Sequence, residues 1–453
     1  MMGQLMKDYD IPGLVQLVKS KQISPVEITK HFLEKIEEHE PSLQAWVTVT
    51  GTEALQKAEL VEKKIMMGEK VGLLAGIPFA AKDVFCTAGI KTTAGSKVVE
   101  DYVPDFNATS ISLLEQEDAI LLGKSTTTEF AYAITMKTRN PWNINHTSGG
   151  SSSGSSAAVA SGMSAFALGT QTGGSLIRPT AFCGLVSMKA TLGRLSRAGV
   201  LPVSWTLDHI GAMTRTVKEQ ALLLHVLSGY DEQDRISLDI PKIDHQITEL
   251  KDLSGIKIGV PTRYFFDDIE EDVGLSVKAG IQALSERGAQ IIEIDLPEIF
   301  EAAIAAHSII IHSEAASHHE ETFNEVYQKY SPYLQERLAV ARIIPTTTYL
   351  KAQEIRTLYI QAIHELFEQV HVMIVPSAPT TAPKGEGTGD SRFNSPFTMA
   401  GVPALTVPCG LAGNGLPVGM QIVGRALSEE LLLSIGAYCE ATFNFNKEAV
   451  LYG

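Results

Sequence analysis

Cysteine is scarce in this 453-residue chain. Its four cysteines, Cys86, Cys183, Cys409 and Cys439, stand too far apart for a CxxC pair or any zinc-ligand spacing. They read as small buried residues, and neither a disulfide framework nor a metal site is expected. Positive charge is in deficit too: 37 Lys and Arg against 52 Asp and Glu leave a formal net charge of −15. That balance favours solubility and argues against a nucleic-acid footprint, which needs a basic face. No uncharged apolar stretch reaches about 18 residues, so no membrane span is expected. The N-terminus, MMGQLMKDYD, lacks a basic region followed by a long apolar run. No signal peptide is read there, and the expected location is the cytoplasm. No fixed-period repeat is visible. The best linker candidate is the short KGEGTGDSRFN (384–394).

With 44% hydrophobic and 20% charged residues, the chain has ample material for a large core. Ser24-Pro25-Val26-Glu27 is a capping box with Pro at the first helical position, followed by an Ile28, Phe32, Ile36 stripe. A second helix is expected over 53–68, ending at Gly68. GIPFAAKDVF (76–85) reads as a strand, 111–125 as helix then strand, and the Ala-rich 157–168 as helix with Gly162 as its stop. A loop follows, then strand 184–191 and helix 217–228. Strands at 255–261 and 289–297 flank a helix at 273–287, a βαβ unit that implies parallel pairing. Residues 300–370 are mostly helical. Strands at 370–379, 404–410 and 419–425 precede a helix near 428–440. The reading is a single α/β domain over 1–453, with a signature core at about 70–195 and a helical subregion at about 300–370.

TSGGSSSGSSAAVASG (147–162) has the composition of a flexible tether, with eight Ser or Thr in sixteen residues. Lys82 lies on the alternating strand GIPFAAKDVF and shares a face with Ala80 and Val84. Buried there, desolvation would lower its pKa and leave a neutral amine that accepts a proton. On an edge strand it would instead reach out to solvent. Gly173-Gly174-Ser175 is either a plain glycine turn or a nest of N–H groups that binds an oxyanion. It is not a phosphate loop, because no Lys-Ser/Thr follows, and GxSxG fails for want of the second glycine. His146, His209, His307, His312, His318 and His319 stand in no triad order and read as surface or structural residues.

Taken in order, Gly76-Ile77-Pro78 with Lys82-Asp83, then GGSSSGSSAAVA, TGGSLIRPTAFCG and MKATLGR, resemble the amidase signature family. The similarity continues through SPVEIT early in the chain, LDHIGAMTRTV, and FTMAGVPALTVPCG with GLPVGMQIVGR near the end. The resemblance implies a mixed β-sheet core covered by helices on both faces. It implies an amide hydrolase working through a Ser-Ser-Lys triad: Ser175 as nucleophile, Ser151 as proton relay after a cis Gly150–Ser151 bond, and Lys82 as base. The backbone N–H groups of Thr172, Gly173, Gly174 and Ser175 would form the oxyanion hole, and Ser152 would orient Lys82. No cofactor or metal is called for. The expected partner is a small-molecule amide, with neither nucleic acid nor membrane, and a homodimer as the candidate assembly.

The chain departs from the family pattern in places. Ser153 replaces a glycine of GGSSGG, Ser156 an alanine, Gln171 an aspartate before TGGS, and Arg178 falls one place late. The Asp-containing form is usual in the glutaminase component of the tRNA amidotransferase complex. Gln171 and Leu176-Ile177-Arg178 therefore favour a free-standing enzyme that cleaves a linear amide or related C–N bond, releasing ammonia or an amine. The glutaminase component of a glutamyl-tRNA amidotransferase-like complex is the alternative.

Overall fold

The computed structural model describes residues 3, 5, 8–134, 137–445 and 449. Its strands are β1 (Trp46–Val49), β2 (Pro78–Lys82), β3 (Ile120–Ser125), β4 (Arg139–Asn140), β5 (Asn143–Thr147), β6 (Phe166–Gln171), β7 (Val186–Lys189) and β8 (His209–Thr214). They continue with β9 (Lys257–Pro261), β10 (Gln290–Ile294), β11 (Val372–Pro376), β12 (Ala404–Leu411) and β13 (Pro417–Gly424). Strands β4 and β5 pair as a separate ribbon. The other eleven form one sheet in the order β1-β3-β2-β6-β8-β7-β12-β13-β11-β9-β10. The sheet is mixed: β2 is parallel to β3 and β6, and β9 to β10 and β11, whereas the pairs β1-β3, β6-β8, β8-β7, β7-β12, β12-β13 and β13-β11 are antiparallel. The expected βαβ unit is present as β9, the helix Glu271–Glu286 and β10.

Side chains of β11 show why both faces of the sheet carry helices. Val372 and Ile374 join the cluster that holds Leu405, Ile422 and Leu433, whereas Met373 and Val375 join the one that holds Phe300, Tyr359 and Phe397. Successive side chains of a strand point to opposite faces, so a strand apolar at every position must be covered twice. Each such side chain contributes roughly 1.5–3 kcal/mol when fully buried. The helices Phe300–His318 and Thr346–Leu366 cover the second of these faces. The helix Pro25–Leu43 begins at Ser24 with both arms of the capping box in place, which is worth about 1 kcal/mol.

The Ala-rich segment differs from its expected form. Its helix spans Ser153–Ala160, starting inside the serine-rich stretch, and Gly162 follows at φ +72°. Residues from 166 onward are not helix but strand β6, and the expected loop contains the helix Ile177–Phe182. Gly169 explains β6. A Cβ there would stand 3.0 Å from Ser152 Oγ and 3.1 Å from Leu176 Cδ1, so the strand needs a glycine where two other segments press on it. Nor is the serine-rich stretch a tether: every residue from 146 to 159 is buried. The four cysteines are free thiols, with Cys86, Cys183 and Cys439 buried.

Candidate active site

Strand β2 lies inside the sheet, which removes the edge-strand reading of Lys82. The lysine is fully buried at the C-terminal end of β2. Its Nζ lies 2.8 Å from Ser151 Oγ and 2.6 Å from Thr170 Oγ1. Burial pushes its pKa down to about 7, with the charge of Asp208 opposing the shift. An amine near neutrality can both take and return a proton at physiological pH.

Thr170 is not among the residues expected from the sequence. It stands near the end of β6, the parallel neighbour of β2, and so reaches Lys82 across the sheet. Ser152 makes no hydrogen bond to Lys82. Its hydroxyl donates to Thr170 O and accepts from Thr170 N, each at 3.2 Å, and thus fixes the residue that holds the lysine. The Gly150–Ser151 peptide is cis. Gly150 O accepts from Arg178 Nη2 at 2.6 Å, and Gly150 N donates to Thr388 O at 3.3 Å. Burial lowers the Arg178 pKa to about 10, which leaves a cation at neutral pH.

Residues 172–176 connect β6 to the helix Ile177–Phe182, and Ser175 is half-buried at this turn. Thr172 O accepts from His307 Nε2 at 2.9 Å, and Gly173 O accepts from Thr398 Oγ1 at 3.0 Å. A trans peptide is planar, with its N–H directed opposite its carbonyl. These two bonds therefore also set the directions of the Gly173 and Gly174 N–H groups. Among the described residues, the N–H groups of Gly173, Gly174 and Ser175 have no acceptor. Burial holds the His307 pKa near 4, so the ring is neutral and donates through Nε2. His146, His209, His307 and His319 are buried, so the surface reading fails for these four.

Gln171 has a local task. Its Oε1 accepts from Leu176 N and Ile177 N, each at 3.0 Å, and its Nε2 donates to Thr398 Oγ1 at 3.0 Å. It caps the helix after the turn, because the first N–H groups of a helix lack partners within it. The 384–394 segment is no linker either. Gly387 O accepts from Thr147 Oγ1 at 2.6 Å, and a Cβ on Gly174 would come within 2.9 Å of Ser391 Cβ. Among the described residues no cluster of His, Cys, Asp or Glu could hold a metal ion, and no helix is long and apolar enough to cross a membrane.

A buried lysine bonded to a serine, beside a turn of unpaired N–H groups and a second serine, is the outline of a serine hydrolase. The family profile described as Amidase matches residues 27–433, and the chain belongs to that amidase signature family. The A component of the glutamyl-tRNA(Gln) amidotransferase of Cyanothece sp. is 37% identical, over 95% of this chain and 98% of that protein. A bacterial aryl acylamidase superposes with a TM-score of 0.88 at 26% identity, covering 97% of each chain. The corresponding A component of the Thermotoga maritima glutamyl-tRNA(Gln) amidotransferase superposes at 0.77 with 29% identity, covering 92% of this chain and 91% of that one.

Proposed function

We propose that this chain hydrolyses amides through a serine acyl-enzyme. Ser175 Oγ attacks the amide carbonyl, and its proton passes through Ser151 to Lys82. The tetrahedral oxyanion is held by the N–H groups of the 172–175 turn, where loss of one donor costs roughly 3–4 kcal/mol of barrier. As the intermediate collapses, the proton on Lys82 returns through Ser151 to the leaving nitrogen, which departs as ammonia or an amine. Water then takes the same route and frees the carboxylic acid and Ser175. The observation that carries this reading is the contact of Lys82 Nζ with Ser151 Oγ at 2.8 Å in a fully buried position. Intact-mass analysis after treatment with an alkyl fluorophosphonate tests it. One adduct is expected on the wild type and none on Ser175→Ala. An adduct that survives the substitution refutes Ser175 as nucleophile.

For the substrate, the relatives support the glutaminase component of an amidotransferase better than the free-standing enzyme expected from the sequence. The main argument against that branch is Gln171, and Gln171 is occupied in capping a helix, so it carries no substrate code. The acidic net charge is equally weak against it, since the relative's name places a tRNA in the reaction of a multi-component enzyme. The free-standing reading keeps one supporting observation, the closer superposition on an aryl acylamidase. Glutaminase activity that appears only with co-purified partner proteins would establish the first reading. Turnover of simple primary amides or anilides by the isolated chain, lost in Ser175→Ala, would establish the second.

A further inference from the structure

A cavity of about 170 Å³ adjoins the end of β6, and Thr170, Thr172, Arg197 and Asp208 contribute to its walls. Asp208 is half-buried, immediately before β8. Its Oδ1 accepts from Thr172 Oγ1 at 2.5 Å, and its Oδ2 accepts from Val203 N at 2.8 Å and Ser204 N at 3.0 Å. Thr172 is thus held from two sides: the side chain by Asp208 and the carbonyl by His307. Resting on the reading of Lys82 and Ser175 above, we propose that Asp208 is a positioning residue for the reaction. It anchors the oxyanion turn through the Thr172 hydroxyl and supplies the negative charge that Lys82 meets when it takes the proton.

The surrounding charges single out Asp208 for this part. Arg197, the cation nearest in effect to Asp208, is engaged by Asp234 at 2.8 Å and 3.0 Å. Glu314 accepts from Ser204 Oγ at 2.5 Å and from Thr206, and so braces the same loop from outside. Asp83, the chain neighbour of Lys82, lies 4.0 Å from Lys124. His209 and His307 are neutral by burial. Asp208 shares a cavity wall with Thr170, which bonds Lys82 Nζ at 2.6 Å, and although burial raises its pKa to about 6 it is an anion at neutral pH whose charge favours the protonated lysine. As Lys82 is protonated, a buried cation forms, and an anion close by lowers its cost.

The test is the pH dependence of the rate of fluorophosphonate labelling in the wild type, Asp208→Asn and Thr172→Val. Neutral Lys82 is the active form, so the wild-type rate rises with pH through the lysine's titration. Asparagine keeps the shape of Asp208 but removes the charge that raises the pKa of Lys82. The rising limb of Asp208→Asn should therefore move to lower pH by about one unit. Its maximal rate should fall by up to about tenfold, because a proton-accepting group about one unit less basic is less effective. Thr172→Val should slow labelling without moving the limb. A limb that stays in place in Asp208→Asn refutes the charge, even if the rate falls. An unchanged rate in both variants refutes the anchoring. Labelling that persists in Ser175→Ala would overturn the underlying catalytic reading instead.

Discussion

Replacing Gly174 by alanine should separate catalysis from folding. A Cβ at this position would lie 2.5 Å from Asn394 Oδ1, 2.9 Å from Ser391 Cβ and 3.2 Å from Asn394 Cβ. Asn394 has little room to retreat, since it is buried and its Nδ2 donates to Ser377 O at 2.9 Å and Gln421 Oε1 at 3.3 Å. The turn must yield instead, and overpacking of this kind costs about 1–3 kcal/mol. A domain of this size tolerates that loss. The chemistry tolerates it less well, because displacing a reacting group by about 1 Å can cost roughly a hundredfold in rate. The assay is the labelling rate of Gly174→Ala with a fluorophosphonate, read by intact mass, beside a denaturant-unfolding curve. Gly173→Ala is the control for stability. Its Cβ would meet Ser391 Oγ at 3.6 Å and His307 Cε1 at 3.8 Å, which is ordinary contact, so stability should stay within about 1 kcal/mol of wild type. If Gly174→Ala labels at the wild-type rate, the turn is not the oxyanion site and the reasoning fails.

Two further substitutions probe the buried charges. Burial, partly opposed by the charge of Asp208, lowers Lys82 from 10.5 to about 7, a net cost to the charged form of about 5 kcal/mol. Lys82→Met should abolish labelling and still be the more stable protein at pH 7, even after losing two hydrogen bonds worth about 1 kcal/mol each. Between about pH 7 and 10.5 the unfolded wild type binds a proton that the folded one has released. Wild-type stability therefore rises with pH in that window, and the advantage of the Met variant should be smaller in unfolding curves at pH 9.5 than at pH 7. Arg178→Met leaves the buried Gly150 O without its donor, a loss of about 1–3 kcal/mol, and should slow labelling roughly tenfold or more by letting Ser151 shift.

Legibility in the sequence follows the range of the interaction. Lys82, Ser151 and Ser175 can be picked out because their stretches, taken in order, resemble the amidase signature family; taken singly they read equally as a solvent-reaching lysine, a tether and a glycine turn. Thr170 cannot be, since its importance comes from the pairing of β2 with β6, which brings together residues 88 apart. The same pairing hides β6 itself. FALGTQ carries a glycine because Ser152 and Leu176 crowd it, and by composition alone that glycine argues against a strand. Gln171 looks like a clue to substrate, yet its Oε1 caps the next helix and its Nε2 bonds Thr398 Oγ1. The 384–394 segment has the composition of a linker. Its glycines adopt the positive φ that the folded segment requires, at +79°, +142° and +81°, and Gly387 O and Thr388 O both bond to the 147–150 segment. Long amphipathic helices such as Pro25–Leu43 need no tertiary information, because cap and stripe are both local.

The dependence of Lys82 on a parallel neighbour has a consequence for the newly made chain. Parallel strands cannot pair through a tight turn, and here the helix Ser153–Ala160 lies in the crossover between β2 and β6. Until that crossover closes, Lys82 is in water with an ordinary pKa, and roughly one molecule in a thousand or fewer has a neutral amine at pH 7. On the mechanism proposed above, Ser175 would have no base to activate it while the sheet is open. On that mechanism nucleophilicity would appear only with sheet closure, and a reactive serine would mark a chain in which β2 and β6 have paired.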